Sequence, residues 1–402
     1  MPDPSLIYEN AALQAPGIHA LVVGVSDYTH LPEANEPPDE DCWNFNKLTS
    51  AALSAYKIYQ WLDRRKGELR LPIKSIRLLL APSPAEKAAE QALQNLNAVV
   101  PTWTAFKDAL WAWQDAAAKD PNDMTFFYFA GHGMQRGPEE GILLLADFSA
   151  PATAKLARCV MFSDIRAGMA PTDSCPNIAK TQFYFVDACR VTPEIMKKFD
   201  VSKIAPIWDT ELPHADRREA PVLFSTVDGA IAVGRGGKPS FFAEGLIFAF
   251  ERGAEEPDDS NGPTVWPVTS MTMKTALDIF YAKNKVGTQV NPGGMVGAPV
   301  LRYLPAPPDV DVKIYIRPEV LAGHYFLELC DDDDKTVNRI TECPSASVEI
   351  TIKAGIYRLL VHSDRITPSP YPSKRKSLAQ SKLAILGATP WPLDLTPSIP
   401  AG

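Results

Sequence analysis

Along the first three quarters of the chain, short unbroken apolar runs alternate with longer stretches in which apolar residues recur every three to four positions. The runs HALVVGVSDY (19–28), IKSIRLLLA (73–81), MTFFYFAGHG (124–133), TQFYFVDAC (181–189) and PVLFSTVDG (221–229) read as buried strands. The periodic stretches predict helices over 49–67, 101–120, 240–253 and 270–284. Thr49 or Ser50 caps the first, Leu53, Ile58 and Trp61 form its apolar stripe, and Gly67 ends it. Thr102 caps the second. GILLLADF (141–148) reads as an added strand or hairpin, and CVMFSDIRAGM (159–169) as a short helix capped by Ser163.

Strand and helix in alternation imply an α/β fold, a mainly parallel sheet with helices on both faces. In such sheets the groups that act on ligands stand just past the carboxyl ends of the strands. Asp27, His132 and Cys189 all occupy that place.

The pattern changes near Pro305, after the linker-like PAPPDVD (305–311). Beyond it come only short strand signals, VKIYIRP, HYFLELC, SVEITIKAG and IYRLLVHS, with apolar/polar alternation in VEITIK. The reading is a domain over 1–305, a small C-terminal β-sandwich over 306–363 and a proline-rich tail over 364–402 that carries the basic run SKRKS. DDDDKT (331–336) reads as a solvated hairpin turn, because it lacks the glycine and distal glutamate of an EF-hand loop.

Composition narrows the function classes. The 402 residues carry 46% hydrophobic and 22% charged side chains, as a globular protein does, and a net charge of −8 opposes non-specific nucleic-acid binding. The N-terminal stretch has no basic-then-apolar secretory pattern, and no apolar run approaches the roughly 18 residues of a membrane span. Six cysteines, at 42, 159, 175, 189, 330 and 343, form no CxxC pair, so no zinc or other metal site is expected. Cys330 and Cys343 could face each other across a hairpin, yet a reduced, cytoplasmic protein is the simpler expectation.

The candidate chemistry follows from two strand ends. A thiol attacks a carbonyl well only as thiolate, with a histidine nearby to manage its proton and donors to hold the oxyanion. Cys189 and His132 supply the nucleophile and the acid/base, and the backbone N–H groups of Gly133 and Cys189 the oxyanion hole.

These residues resemble the caspase-like cysteine peptidases, the clan of caspases, metacaspases, paracaspases and gingipains. The likeness lies in FFYFAGHG, FYFVDACR and the opening strand HALVVGVSDY, spans about 17–304, and extends to PSFFAEGLIFAF and QVNPGGMVG. The 57 positions from His132 to Cys189 agree with the roughly 50 of caspases. The resemblance implies a cysteine endopeptidase acting on protein substrates, with no cofactor for the chemistry. Some relatives need calcium for activation, which leaves calcium dependence open here. It also implies an activating protease or regulatory protein as partner, and a microbial regulatory or cell-death role.

Two residues before the cysteine, caspases that cut after aspartate carry glutamine; Asp187 stands there in this chain. Relatives with aspartate prefer arginine or lysine at P1, and a carboxylate suits a guanidinium. Asp187, Asp27 and Ser225 are therefore the expected substrate-binding residues. Relatives often place Asn-Asp in the first helix as a second pocket acid; Leu53 and Ser54 stand there, leaving Asp27 as substitute with Asp41 behind it. Val191 follows DACR in place of a small Ser-Gly. The weakly periodic region 190–220 is the expected activation loop, with Lys197, Lys198, Lys203, Arg217 and Arg218 as cleavage points. The long acidic segment THLPEANEPPDEDCWNFNK is expected to shape the groove or bind a partner. The rival reading is a catalytically inactive scaffold on the same fold. A nucleotide-binding α/β domain is disfavoured, because no GxGxxG or P-loop follows the first strand.

Overall fold

The computed structural model describes residues 3–135, 141–150, 152–190, 204–209, 216–226, 235–255, 265–287, 290–293, 297–316, 326–331, 333–340, 347–362, 379–385 and 393–395. Two compact units result: Met1–Ala249 with Thr269–Arg302, and Phe250–Val268 with Tyr303–Gly402.

The first unit is built on a seven-stranded sheet. Its strands are β1 (Leu6–Glu9), β2 (Ile18–Val25), β3 (Ile73–Ala81) and β4 (Met124–Ala130). A small antiparallel sheet follows: β5 (Gly133–Gln135), β6 (Gly141–Leu144) and β7 (Cys159–Met161). The main sheet continues with β8 (Thr181–Asp187) and β9 (Val222–Phe224). β10 (Trp266–Thr269), β11 (Asn291–Gly293) and β12 (Val300–Leu304) come next, β11 closing the main sheet. The main-sheet order is β1-β3-β2-β4-β8-β9-β11, with the five inner strands parallel and the two edges antiparallel.

The helices are α1 (Ala51–Arg64), α2 (Pro84–Ala89), α3 (Ala92–Asn95), α4 (Trp103–Ala117), α5 (Phe162–Gly168), α6 (Phe241–Arg252) and α7 (Ser270–Lys283). Every residue of β2 and β4 is buried, which is why these strands read as unbroken apolar runs rather than alternating ones. Leu21, Val23, Phe127, Phe129, Tyr184 and Val186 join the core that holds Phe106, Leu110 and Trp113 of α4. On the other face α1 lies so close that a Cβ on Gly24 would meet the Ala52 Cα and the Ala55 Cβ at 2.7 Å.

The predicted strands and long helices all form, but neither Thr49 nor Ser50 caps α1 with its side chain: the Ala51 and Ala52 N–H groups go to Ser26 Oγ instead. Met161, not Ser163, precedes the first turn of α5, since β7 runs straight into the helix at Phe162. β1, α2, α3, β10 and β12 were not anticipated from the apolar pattern. α2 opens with a capping box in which Ser83 and Glu86 satisfy each other's backbone.

Glu86 also holds α1 in place. Its buried carboxylate accepts from Ser26 Oγ (2.9 Å), Leu53 N (2.8 Å), Ser83 N (2.7 Å) and Ser83 Oγ (2.8 Å). Ser26 Oγ in turn accepts from the N–H groups of Ala51 and Ala52, both at 3.0 Å. The end of β2, the start of α1 and α2 thus share one acceptor. Glu86→Ala would strand several buried donors, and a loss of about 3–4 kcal/mol is expected in denaturant unfolding, with Glu86→Gln losing less. A loss below about 1 kcal/mol for alanine would contradict this role.

The second unit contains β13 (Asp309–Ile316), β14 (Phe326–Asp331), β15 (Thr336–Ile340), β16 (Ser347–Lys353), β17 (Gly355–His362), β18 (Ala379–Ile385) and β19 (Leu393–Leu395). They form two sheets, β16-β13-β19 and β15-β14-β17-β18. Val310, Val312 and Ile314 alternate inward along β13, as do Leu327 and Leu329 along β14. The region expected as a tail carries β18, antiparallel to β17, and β19, parallel to β13. Cys330 is buried in β14, and Cys343 lies outside the described residues. Between β14 and β15, Asp331 Oδ1 accepts from the N–H groups of Asp333 and Lys335.

Candidate active site

β4 and β8 run parallel in register, and their last paired residues are Ala130 and Asp187. Gly131 N donates to Asp187 O at 3.2 Å, so the two chains leave the sheet together. His132 and Cys189 each stand two residues past that pair. Cys189 is half-buried and His132 buried. Gly133 packs on the cysteine turn: a Cβ there would meet the Ala188 Cβ and the Cys189 carbonyl oxygen, both at 2.8 Å. Leu144 N donates to His132 O, which makes the next register pair, Gly133 and Leu143, a non-hydrogen-bonded one. The Gly133 N–H therefore points away from β6.

The imidazole of His132 is held on three sides. Its Nε2–H donates to the Asn46 carbonyl at 2.7 Å. The ring centroid lies 4.6 Å from Phe45 and 5.0 Å from Tyr28. The Tyr28 hydroxyl accepts from His132 N at 2.7 Å and donates to Leu144 O at 3.4 Å. The Asn46 contact assigns the ring proton to Nε2 in the neutral form and leaves the lone pair on Nδ1. Burial pushes the ring's pKa down to about 4, and the Asn46 carbonyl only partly offsets it.

That depression makes His132 a stability sensor. Between about pH 4 and the ordinary value of 6.5 the unfolded chain binds a proton here that the folded chain does not. Stability should therefore rise with pH across that window, by up to about 3 kcal/mol from this residue. In His132→Phe, unfolding measured from pH 4 to 7 should lose that part of the slope. An unchanged slope would contradict the assignment.

Asn46 and Phe45 belong to the long acidic segment, whose near end thus builds the wall around His132. Asn46 Nδ2 anchors it by donating to the carbonyls of Glu33 (2.9 Å) and Glu36 (2.6 Å). Sequence reasoning missed Asn46, because its contribution is a backbone carbonyl that any residue carries. It also missed Tyr28, although a tyrosine directly after a strand-end acid was a visible signal.

Asp187 lies beneath the strand ends, buried on the α1 face of the sheet. Its Oδ2 accepts from Tyr128 OH at 3.1 Å and from Ser240 Oγ. The Ser225 side chain lies near this carboxylate, but its hydroxyl donates to the Ala188 carbonyl at 3.4 Å. Burial raises the pKa of Asp187, and the hydrogen bonds from Ser240 and Tyr128 work against that rise. Ser225 thus stands near Asp187. Asp27 does not: its exposed carboxylate pairs with Lys47 Nζ at 3.0 Å, and Lys47 also binds Glu33 at 2.6 Å. Asp41 is exposed in the single turn Glu40–Cys42. Ser54 of α1, where relatives carry an acid, instead offers its hydroxyl oxygen to Ser240 N at 2.8 Å.

Of the expected cleavage points, Lys197, Lys198 and Lys203 lie outside the described residues. Arg217 is exposed. The Arg218 guanidinium is occupied: it bonds Asp216 at 2.7 and 2.9 Å, the Arg166 carbonyl at 2.9 Å and Gln182 Oε1 at 3.2 Å. Nor do the described residues 204–209, which form no helix or strand, lie wholly on the surface. Ile204 and Ile207 are buried in the core, and Trp208 lies over Gly168 with its Nε1–H on Gln114 Oε1 at 2.9 Å.

A family model described as the caspase domain matches residues 18–289, more than half of the chain. Among solved structures, a protein of Geobacter sulfurreducens is similar over 72% of this chain and 94% of its own, at 11% identity and a TM-score of 0.40. Caspase-1 from Spodoptera frugiperda is similar over 72% of this chain and 91% of its own, at 13% identity and a TM-score of 0.41. No match emerged among curated proteins. Among the described residues no helix is long and apolar enough to cross a membrane.

Proposed function

This chain belongs to the caspase-domain family of cysteine peptidases, and from that premise we propose that it is an endopeptidase that cuts proteins after arginine or lysine, with Cys189 as nucleophile and His132 as general acid/base. The observation that carries the reading is the shared exit of β4 and β8, which sets His132 and Cys189 two residues beyond one register pair.

The steps follow from the groups at hand. Nδ1 of the neutral imidazole takes the Cys189 thiol proton as sulfur attacks the scissile carbonyl. Asn46 keeps the Nε2–H engaged, so the ring does not turn its protonated nitrogen to the thiol. The oxyanion is received by the N–H groups of Gly133 and Cys189. The imidazolium then gives its Nδ1 proton to the departing amine, and water releases the thioester acid by the reverse path. Because the depressed pKa keeps the ring neutral near pH 7, His132 acts as a base on a thiol rather than as the cation of a preformed ion pair.

Asp187 is the P1 selector in this reading, with Ser225 beside it. Asp27 contributes at most through its pair with Lys47. Activation by cleavage is placed at Lys197, Lys198 or Lys203, or after the exposed Arg217, and not at the occupied Arg218. The chemistry calls for no cofactor.

Fluorogenic peptides with Arg, Lys or Asp at P1 test the function, with and without calcium, before and after nicking by an added protease. Cleavage after Arg and Lys is the expected result, and cleavage after Asp alone would overturn the specificity.

A further inference from the structure

Ser240 sits at a junction that the roles above do not use. It is buried, 6% exposed, and immediately precedes α6. Its Oγ accepts from Ala243 N at 3.1 Å, capping the helix, and donates its proton to Asp187 Oδ2. Its N–H donates to Ser54 Oγ at 2.8 Å, and Ser54 donates to the Ser50 carbonyl at 2.6 Å. Ser54 follows Leu53, whose N–H is held by Glu86. A continuous set of hydrogen bonds thus runs from the start of α1 through Ser240 to the carboxylate.

Tyr128 donates to the same oxygen, Oδ2. An ionised carboxylate offers roughly four acceptor sites, two on each oxygen. Tyr128 and Ser240 fill Oδ2, while the Ser225 hydroxyl donates to the Ala188 carbonyl instead.

We propose that Ser240 is the positioning residue of the P1 selector: with Tyr128 it occupies Oδ2 of Asp187, fixes the plane of the carboxylate, and leaves Oδ1 to meet the substrate cation end-on. The proposal rests on the reading of Asp187 as selector. Such a carboxylate recognises charge rather than the two-pronged fork of a guanidinium, so arginine and lysine substrates should be handled within about tenfold of each other.

Several elements near the acid present hydroxyls. Tyr128 comes from β4, Ser225 from the end of β9, Ser240 from the start of α6 and Tyr281 from α7, whose hydroxyl donates to Ser225 O at 3.3 Å. Ser240 therefore also helps to keep Asp187 ionised against its burial.

The test uses the nicked, active protein and four forms: wild type, Ser240→Gly, Ser240→Thr and Asp187→Asn. Glycine is tolerated at a helix N-cap at a cost of only about a few tenths of a kcal/mol, so Ser240→Gly removes the donor with little effect on the helix. It should lower kcat/KM for Arg and Lys peptides about tenfold, mainly through KM, and move the acid limb of the pH profile up by about half a unit or more. Ser240→Thr should restore both. An unmoved acid limb in Ser240→Gly, or a wild-type preference for arginine over lysine above about a hundredfold, would overturn the proposal. Asp187→Asn separates the two layers. If it keeps the basic preference, the selector reading falls and takes this inference with it. If it loses that preference while Ser240→Gly behaves as wild type, this inference alone is wrong.

Discussion

With alanine at position 189, hydrolysis of a basic-P1 peptide is expected to fall by a factor on the order of 10,000 or more, with substrate binding little changed. Alanine removes the sulfur that bonds to the substrate carbonyl, and neither His132 nor the backbone donors can replace it. His132→Ala should cost nearly as much, because at neutral pH a thiol without its base is mostly protonated. The double variant should be hardly worse than either single one, since two groups that act as a unit do not lose activity additively. The strand geometry gives a reason to expect that unit, as both residues emerge from one register pair on neighbouring parallel strands. Steady-state rates on the nicked protein check the claim. A Cys189→Ala protein retaining more than about 1% of wild-type activity would remove Cys189 from the mechanism.

Asp187→Asn should lower kcat/KM for arginine and lysine peptides by about a hundredfold or more, while a neutral P1 peptide loses far less. The carboxylate is buried, and a cation entering beside it would lose its water, so an uncharged partner leaves that cation uncompensated. The hydroxyls of Tyr128 and Ser240 can both serve an amide, so the fold should survive the change. That makes the variant a probe of recognition more than of stability. Equal losses for basic and neutral peptides would mean that Asp187 is structural.

The parts of this fold that were legible in sequence are those where burial leaves no choice. β2, β4 and β8 are covered on both faces and so appear as runs of Val, Leu, Phe and Tyr. Polar residues directly after such runs stand out, which is how His132, Asp187 and Cys189 came to notice. What surrounds them was harder to read. The Asn46 carbonyl has no side-chain signature. Ser240 acts through long-range contacts, to Asp187 and Ser54, that no local pattern encodes. Glu86 was half visible: SPAE (83–86) is a capping-box sequence, but its bonds to Ser26 and Leu53 depend on tertiary packing. Arg218 shows the converse, since a basic residue in a weakly patterned stretch gave no hint of its side-chain bonds to Asp216, Arg166 and Gln182. In the second unit, β18 and β19 stand where proline content suggested a tail, because their pairing partners β17 and β13 lie far away in sequence.

The most direct measurement is intact-mass analysis of the nicked protein after exposure to two peptidyl acyloxymethyl ketones, one with arginine at P1 and one with aspartate, followed by peptide mapping. The thiolate displaces the acyloxy group and leaves a stable thioether, so the adduct reports nucleophile and specificity together. The account predicts one adduct, on Cys189, with the arginine reagent, its rate sharply reduced in His132→Ala and in Asp187→Asn. Labelling of another cysteine, or of Cys189 equally by both reagents, would contradict it.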